Sequence, residues 1–163
     1  MSLDRPPIPD PPHRGGCLCG AVRYVFNSPP LAVVACHCAD CQKLTGATNL
    51  LSVYVPAESF VHEQGEVQSY RKRADSGREA DYFRCVKCGV RLWHKPLTLP
   101  QLTFVAAGTL DDPGWAIPVA HIWTSRAAPS AHFPEGVATW ESHPPDRLEA
   151  IRIFEKIYAV KPE

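Results

Sequence analysis

Seven cysteines, all in close-spaced groups, constrain this chain more than any other feature. Cys17-Leu18-Cys19 lies between Gly16 and Gly20, Cys36-His37-Cys38-Ala39-Asp40-Cys41 follows, and Cys85-Val86-Lys87-Cys88 ends at Gly89. An odd number of thiols cannot all pair as disulfides within one chain. Thiols two or three residues apart form a two-ligand bite for a metal ion, and a glycine beside them accepts the positive φ of a tight turn. Two blander readings compete. Unmetallated thiols can serve as small buried hydrophobes. Cys85-x-x-Cys88 could be a redox pair, but it lacks the βαβ surroundings of that motif.

Ligand counting suggests a partition. Zinc takes four thiolate or imidazole ligands in a closed structural site, and three plus an open position in a catalytic one. Cys17, Cys19, Cys85 and Cys88 supply four thiolates, which would staple the N-terminal part to a distant segment. Cys36, Cys38 and Cys41 supply three and leave one position open. Spacing alone also permits the central cysteines to join the Cys85 knuckle, or His37 to close the second site. A residue between two ligands generally points away from the ion.

Around these groups, short strand-like runs recur between turn signals. They are Ala21 to Phe26, Leu31 to Ala35, Asn49 to Val55, Val67 to Arg71, Ala80 to Arg84, Val90 to His94, Leu102 to Ala107 and Val119 to Trp123. Asp75-Ser76-Gly77 reads as a hairpin break, and Thr124 to Pro145 as loop. One helix is expected, Asp146 to Tyr158, where Leu148, Ile151, Phe154 and Tyr158 fall at helical spacing. Its IRIF segment also reads as strand. The 17 prolines disfavour a helical bundle. The expectation is a mostly-β single domain over residues 14–163, preceded by a flexible, Pro-rich leader over 1–13.

The leader, MSLDRPPIPDPP, has no apolar segment of a secretory signal. No run approaches the ~18–20 apolar residues of a membrane span. A cytoplasmic location is therefore expected, where clustered cysteines point to metal rather than disulfides. Lys and Arg number 17, as do Asp and Glu, so nucleic acid is not an expected partner.

Three stretches carry a family resemblance. Gly16-Cys17-Leu18-Cys19-Gly20-Ala21-Val22-Arg23-Tyr24, Cys36-His37-Cys38-Ala39-Asp40-Cys41-Gln42-Lys43-Leu44-Thr45-Gly46-Ala47 and Phe83-Arg84-Cys85-Val86-Lys87-Cys88-Gly89 resemble the motifs of the glutathione-dependent formaldehyde-activating enzymes. That family includes centromere protein V-like proteins. Gly108 to Pro113 and His121-Ile122-Trp123 resemble weaker downstream signatures. The resemblance covers roughly Arg14 to Trp123. It implies a β-tent fold with two zinc ions per chain, structural at Cys17, Cys19, Cys85 and Cys88 and catalytic-type at Cys36, Cys38 and Cys41. It also implies a carbon–sulfur lyase acting on a thiol–aldehyde adduct such as S-hydroxymethylglutathione, with a small-molecule thiol or thiol adduct, glutathione being the candidate, as partner.

The residues suggest how such chemistry would run. Coordination lowers a thiol's pKa, and the thiolate attacks an aldehyde carbon. Lys43 and the amides around Gly46 are candidates to offset the charge of the thiolates. His37, Asp40 and His121 are candidate proton carriers, each with a structural alternative: a backbone hydrogen bond, a turn cap and a core histidine. Arg71-Lys72-Arg73 with Arg78 could bind carboxylates or form a solvated hairpin tip. Trp93, Trp115, Trp123 and Trp140 could floor a pocket or fill the core. The competing functions are a non-catalytic zinc module for protein or nucleic-acid interaction and a redox-sensing zinc site. Oligomeric state is silent in the sequence.

Overall fold

The computed structural model describes residues 5–74 and 77–159. Asp75 and Ser76 of the expected hairpin break lie outside them; Gly77 is described, with φ +78°. Among the described residues, eleven strands form two sheets, with two α-helices. The smaller sheet joins β1 (His13–Gly16), β2 (Arg23–Phe26) and β5 (Phe60–Gln64) in the order β1-β2-β5.

The larger sheet contains β3 (Ala32–Cys36), β4 (Leu50–Pro56), β6 (Val67–Arg73), β7 (Glu79–Cys85), β8 (Arg91–Pro96), β9 (Leu102–Ala106), β10 (Ala120–Ile122) and β11 (Ala138–Trp140). Its order is β11-β10-β3-β4-β9-β8-β7-β6. β10 runs parallel to both β3 and β11, and the other neighbours are antiparallel. The fold is mostly β, as the sequence implies. β3 is the most apolar strand, with Ala32, Val33, Val34 and Ala35 all buried, as suits a strand covered on both faces.

Alternation of side chains divides the work of the large sheet. Phe83 and Trp93, cross-strand partners on β7 and β8, stack at 5.3 Å and join Tyr24 and Phe60 of the smaller sheet in the core. Tyr82, His94, Phe104 and Tyr54 are cross-strand partners in one row over β7, β8, β9 and β4. Tyr54 and Phe104 stack at 3.8 Å, His94 meets Phe104 edge-on at 5.0 Å, and Tyr82 stacks on His94 at 4.9 Å. This row, on the face away from Trp93, walls a cavity.

Four elements were not expected from the sequence, and a fifth has a shifted boundary. β1 and β5 were not expected: β1 is half glycine, and β5 is largely exposed and so lacks an apolar signature. β11 lies inside the stretch read as loop. The helix α1 (Ala39–Thr45) occupies the central cysteine motif, whose metal-like spacing masks helical periodicity. The C-terminal helix α2 (Glu149–Ala159) begins three residues later than expected, and it settles the IRIF segment as helix. Ala150 and Phe154 are its buried residues, whereas Leu148 stays 38% exposed. Before it, the Asp146 carboxylate accepts the Leu148 N–H at 2.9 Å.

At the other end, the Arg5 guanidinium donates to the carbonyls of Ile117 and Pro118 at 2.9 and 2.7 Å. Ile8 packs on the core. β1 starts at His13, the last residue of the expected leader.

Candidate metal centre and its cavity

Two cysteine groups form. The sulfurs of Cys17, Cys19, Cys85 and Cys88 all lie within 4.8 Å of one another, as do those of Cys36, Cys38 and Cys41. Both groups could hold a metal ion. In the first, Cys17 and Cys19 sulfurs are 3.5 Å apart, and Cys19 and Cys85 are 3.9 Å apart. Two knuckles build it: Gly20 N–H donates to the Cys17 carbonyl at 3.0 Å, and Gly89 N–H to the Cys85 carbonyl at 2.9 Å. Both glycines have left-handed φ, +75° and +74°, which a side chain would strain. Val22 N–H donates to the Cys17 sulfur at 3.2 Å. The Val90 N–H, above all, lowers the Cys88 thiol to about 6. Backbone donors thus favour thiolate here, the form that ligates metal.

The second group spans β3 and α1. Cys36 ends β3, Cys38 caps α1 by accepting the Cys41 N–H at 3.3 Å, and Cys41 is buried in the first turn. Its three thiols share a small space. Hydrogen bonds from Cys36 and then Cys41 push Cys38 far down, while the bond to Cys38 pushes Cys36 up to about 12. One thiolate forms readily; a cation among the three would be needed to ionise the rest. Among the described residues no fourth Cys, His, Asp or Glu joins this group.

All three thiols line the cavity walled by the aromatic row. Trp123 borders it with its backbone at φ +59°, a left-handed conformation that costs about 1–2 kcal/mol for a non-glycine residue. Cations gather in the lining: Lys72, Arg78, Arg126 and Arg147, against the acidic Asp40 and Glu79. Asp40 and Lys72 are an ion pair. Arg78, Arg126 and Arg147 have no carboxylate within salt-bridge distance among the described residues. Arg147 also donates to the Thr98 hydroxyl. Its pKa is lowered by burial and then by Arg78, so two guanidinium groups without carboxylate partners among the described residues feel one another in the lining.

The candidates from the sequence are distributed unevenly. His37 does not close the second group; its Nε2 lies 3.0 Å from His121 Nδ1, and Phe133 packs edge-on against both rings. Neither histidine is in the cavity wall. Lys43 is exposed and borders a separate groove with Gln68 and Tyr70. Gly46 is the left-handed C-cap of α1. Of the basic run, Arg71 pairs with Asp81 at 2.8 Å outside the cavity. Trp93 and Trp115 are buried core residues, and Trp123 alone of the four tryptophans lines the cavity. Arg147, Arg126, His143 and His94, all in the lining, carried no spacing signal that could have singled them out.

Comparison with known proteins adds two findings. Residues 12–126 match the family model described as glutathione-dependent formaldehyde-activating enzyme. A solved structure, described as a crystal structure of a Rhodobacter sphaeroides protein, is 20% identical, covers 60% of this chain and 87% of that chain, and has a TM-score of 0.49. No helix among the described residues is long and apolar enough to cross a membrane.

Proposed function

We propose that this chain, which belongs to the glutathione-dependent formaldehyde-activating enzyme family, is a zinc-dependent carbon–sulfur lyase of thiol–aldehyde adducts. The observation that carries this reading is the trio Cys36, Cys38 and Cys41, gathered without a fourth ligand among the described residues and lining a cavity. A purely structural module would have its second site closed.

The donor sets fit zinc. A Zn–S distance of ~2.3 Å in a tetrahedron places sulfurs ~3.8 Å apart; Cys17, Cys19 and Cys85 approach one another at 3.5 and 3.9 Å. Cys17, Cys19, Cys85 and Cys88 would hold a structural ion, and Cys36, Cys38 and Cys41 a second one with a position to spare. When bound there, zinc supplies Lewis acidity that lowers the pKa of an incoming thiol.

The chain's own residues do the rest. Tyr54 and Phe104 give the cavity apolar walls that exclude water from the reacting atoms. Arg78 and Arg147 in the lining suit a thiol that carries carboxylates, as glutathione does. In the forward sense the thiol sulfur bonds to the aldehyde carbon, the carbonyl pair moves to oxygen, and the thiol proton leaves to solvent while the oxygen takes one up. In the reverse sense the C–S bond of the adduct breaks.

The test is exchange spectroscopy of carbon-13 formaldehyde with glutathione, with and without the protein. We expect faster exchange between free aldehyde and adduct, lost in Cys38→Ser while the fold persists. No acceleration with glutathione or with other carboxylate-bearing thiols would overturn the reading.

A further inference from the structure

The cavity holds a histidine whose chemistry is set by its neighbour. His94 on β8 accepts a hydrogen bond from Arg91 at 3.1 Å, Arg91 Nη1 to His94 Nδ1. Arginine has five N–H donors and no acceptor, and it stays protonated. The shared proton therefore belongs to Arg91, and Nδ1 must present its lone pair. The ring proton is then on Nε2. A second proton would set an N–H against the guanidinium and break the bond.

A defect in the strand makes this contact possible. Residues three apart on a regular strand project to opposite faces. Between β7 and β8 the register shifts: Phe83 pairs with Trp93, but Arg84 pairs with Arg91, leaving Leu92 as the extra residue. The bulge turns Arg91 to the face that carries Tyr82 and His94. Arg91 Nε is buried without a hydrogen-bond partner, and no carboxylate pairs with the group among the described residues. An unpaired buried cation is costly, which marks the position as more than packing.

The ring itself is clamped. Tyr82 stacks on one side at 4.9 Å and Phe104 meets it edge-on at 5.0 Å. His94 lines the same cavity as Cys36, Cys38 and Cys41. Its Nε2 has no hydrogen-bond partner among the described residues, and it is not among the buried orphan nitrogens such as His121 Nε2. Burial, followed by the charge of Arg91, holds His94 well below its ordinary pKa, in keeping with a neutral ring.

We infer that His94 is a catalytic residue that presents a fixed Nε2–H to the substrate oxygen, and that Arg91 is the positioning residue that fixes the tautomer. The chemistry builds on the proposed lyase reaction. As the S–C bond forms, the carbonyl pair moves onto oxygen, and the Nε2–H donates a hydrogen bond to the alkoxide without transferring its proton. The alkoxide is protonated from solvent, which also receives the thiol proton. In the reverse direction the same donor holds the oxygen as the hydroxyl loses its proton and the C–S bond breaks. A neutral donor needs no reorganisation as charge develops.

Two measurements separate this inference from the lyase reading. Ring nitrogen-15 correlation spectra of the full, metal-loaded chain at pH 7 report the tautomer without any turnover. We expect the Nε2–H form for His94, and a mixture of tautomers in Arg91→Met. A protonated Nδ1 in the native chain overturns the assignment, whatever the activity. In the exchange assay, His94→Phe is expected to lower kcat ~100-fold with KM within about threefold, as for loss of one oxyanion donor. His94→Gln, which restores an N–H, is expected to recover at least about tenfold of that. An unchanged kcat in His94→Phe overturns the role at the oxygen. An inactive native chain with the Nε2–H tautomer in place sinks the lyase reading and with it that role, leaving Arg91's control of the tautomer standing.

Discussion

His37 Nε2 and His121 Nδ1 lie 3.0 Å apart, so one ring donates and the other accepts, and full protonation of both would set two N–H groups against each other. His37 Nδ1 and His121 Nε2 are buried without hydrogen-bond partners. Burial lowers both rings, His121 to about 4, with the charge of His37 a further cause for His121. The unfolded chain binds a proton at the ordinary histidine value of ~6.5. Stability is therefore full above that value and falls as pH drops toward the folded value. Between pH 7 and pH 5 we expect a loss of about 1–2 kcal/mol from His121. Urea unfolding at the two pH values would check it, and in His121→Phe the pH slope should flatten. An equal slope in both proteins would refute the assignment.

The cysteine groups were legible because ligand chemistry is written in local spacing. The cavity was not. Arg78 follows β6, Arg147 precedes α2, and only the order of the large sheet brings both to the lining that holds Cys38. His94 only ended a strand-like run; its partner Arg91 reaches it through a bulge that no periodicity signals. β3 is a continuous apolar run and β9 is broken only by Thr103, so both were visible, whereas β5 pairs with β2 through the backbone while most of its side chains face solvent. His37 and Asp40 drew attention by sitting between cysteines, yet one pairs with His121 and the other with Lys72.

Replacing one cysteine from each group should have unlike effects. Cys85 is 1% exposed and joins β7 to the Cys17 knuckle. Cys85→Ser should lose one metal per chain and destabilise the fold by several kcal/mol, a large part of the ~5–15 kcal/mol of a domain. Cys38→Ser should lose one metal and leave the melting temperature within a few degrees. Elemental analysis with calorimetry distinguishes them. Equal destabilisation by the two would mean that both groups are structural.

Gly15 lies where a side chain has no room. A Cβ there would sit 2.2 Å from the Tyr24 hydroxyl oxygen and 2.5 Å from the Thr109 carbonyl oxygen. Gly15→Ala should therefore cost more than about 2 kcal/mol, since backbone must shift. Tyr24→Phe removes the 2.8 Å hydrogen bond to the Thr109 hydroxyl and should cost about 1 kcal/mol. Denaturant unfolding of both reads this out. If Tyr24→Phe restored the stability of Gly15→Ala, the clash would lie with the phenol alone and not with the Thr109 backbone.

Arg78 and Arg147 set a prediction about substrate choice. Both line the cavity, neither has a carboxylate partner among the described residues, and Arg147 feels Arg78 as a like charge. An anionic group between them would relieve that repulsion and gain charge-assisted hydrogen bonds. One such bond contributes ~1.5–3 kcal/mol, which corresponds to about tenfold or more in affinity. Arg78→Gln and Arg147→Gln should each raise KM for glutathione about tenfold with kcat within about twofold. KM for 2-mercaptoethanol, which has no carboxylate, should not move. Added salt should weaken glutathione in the native chain more than in either variant, because screening acts on the charges that remain. Parallel changes for both thiols would mean that the two guanidinium groups support the wall of the cavity rather than read the charge of what enters it.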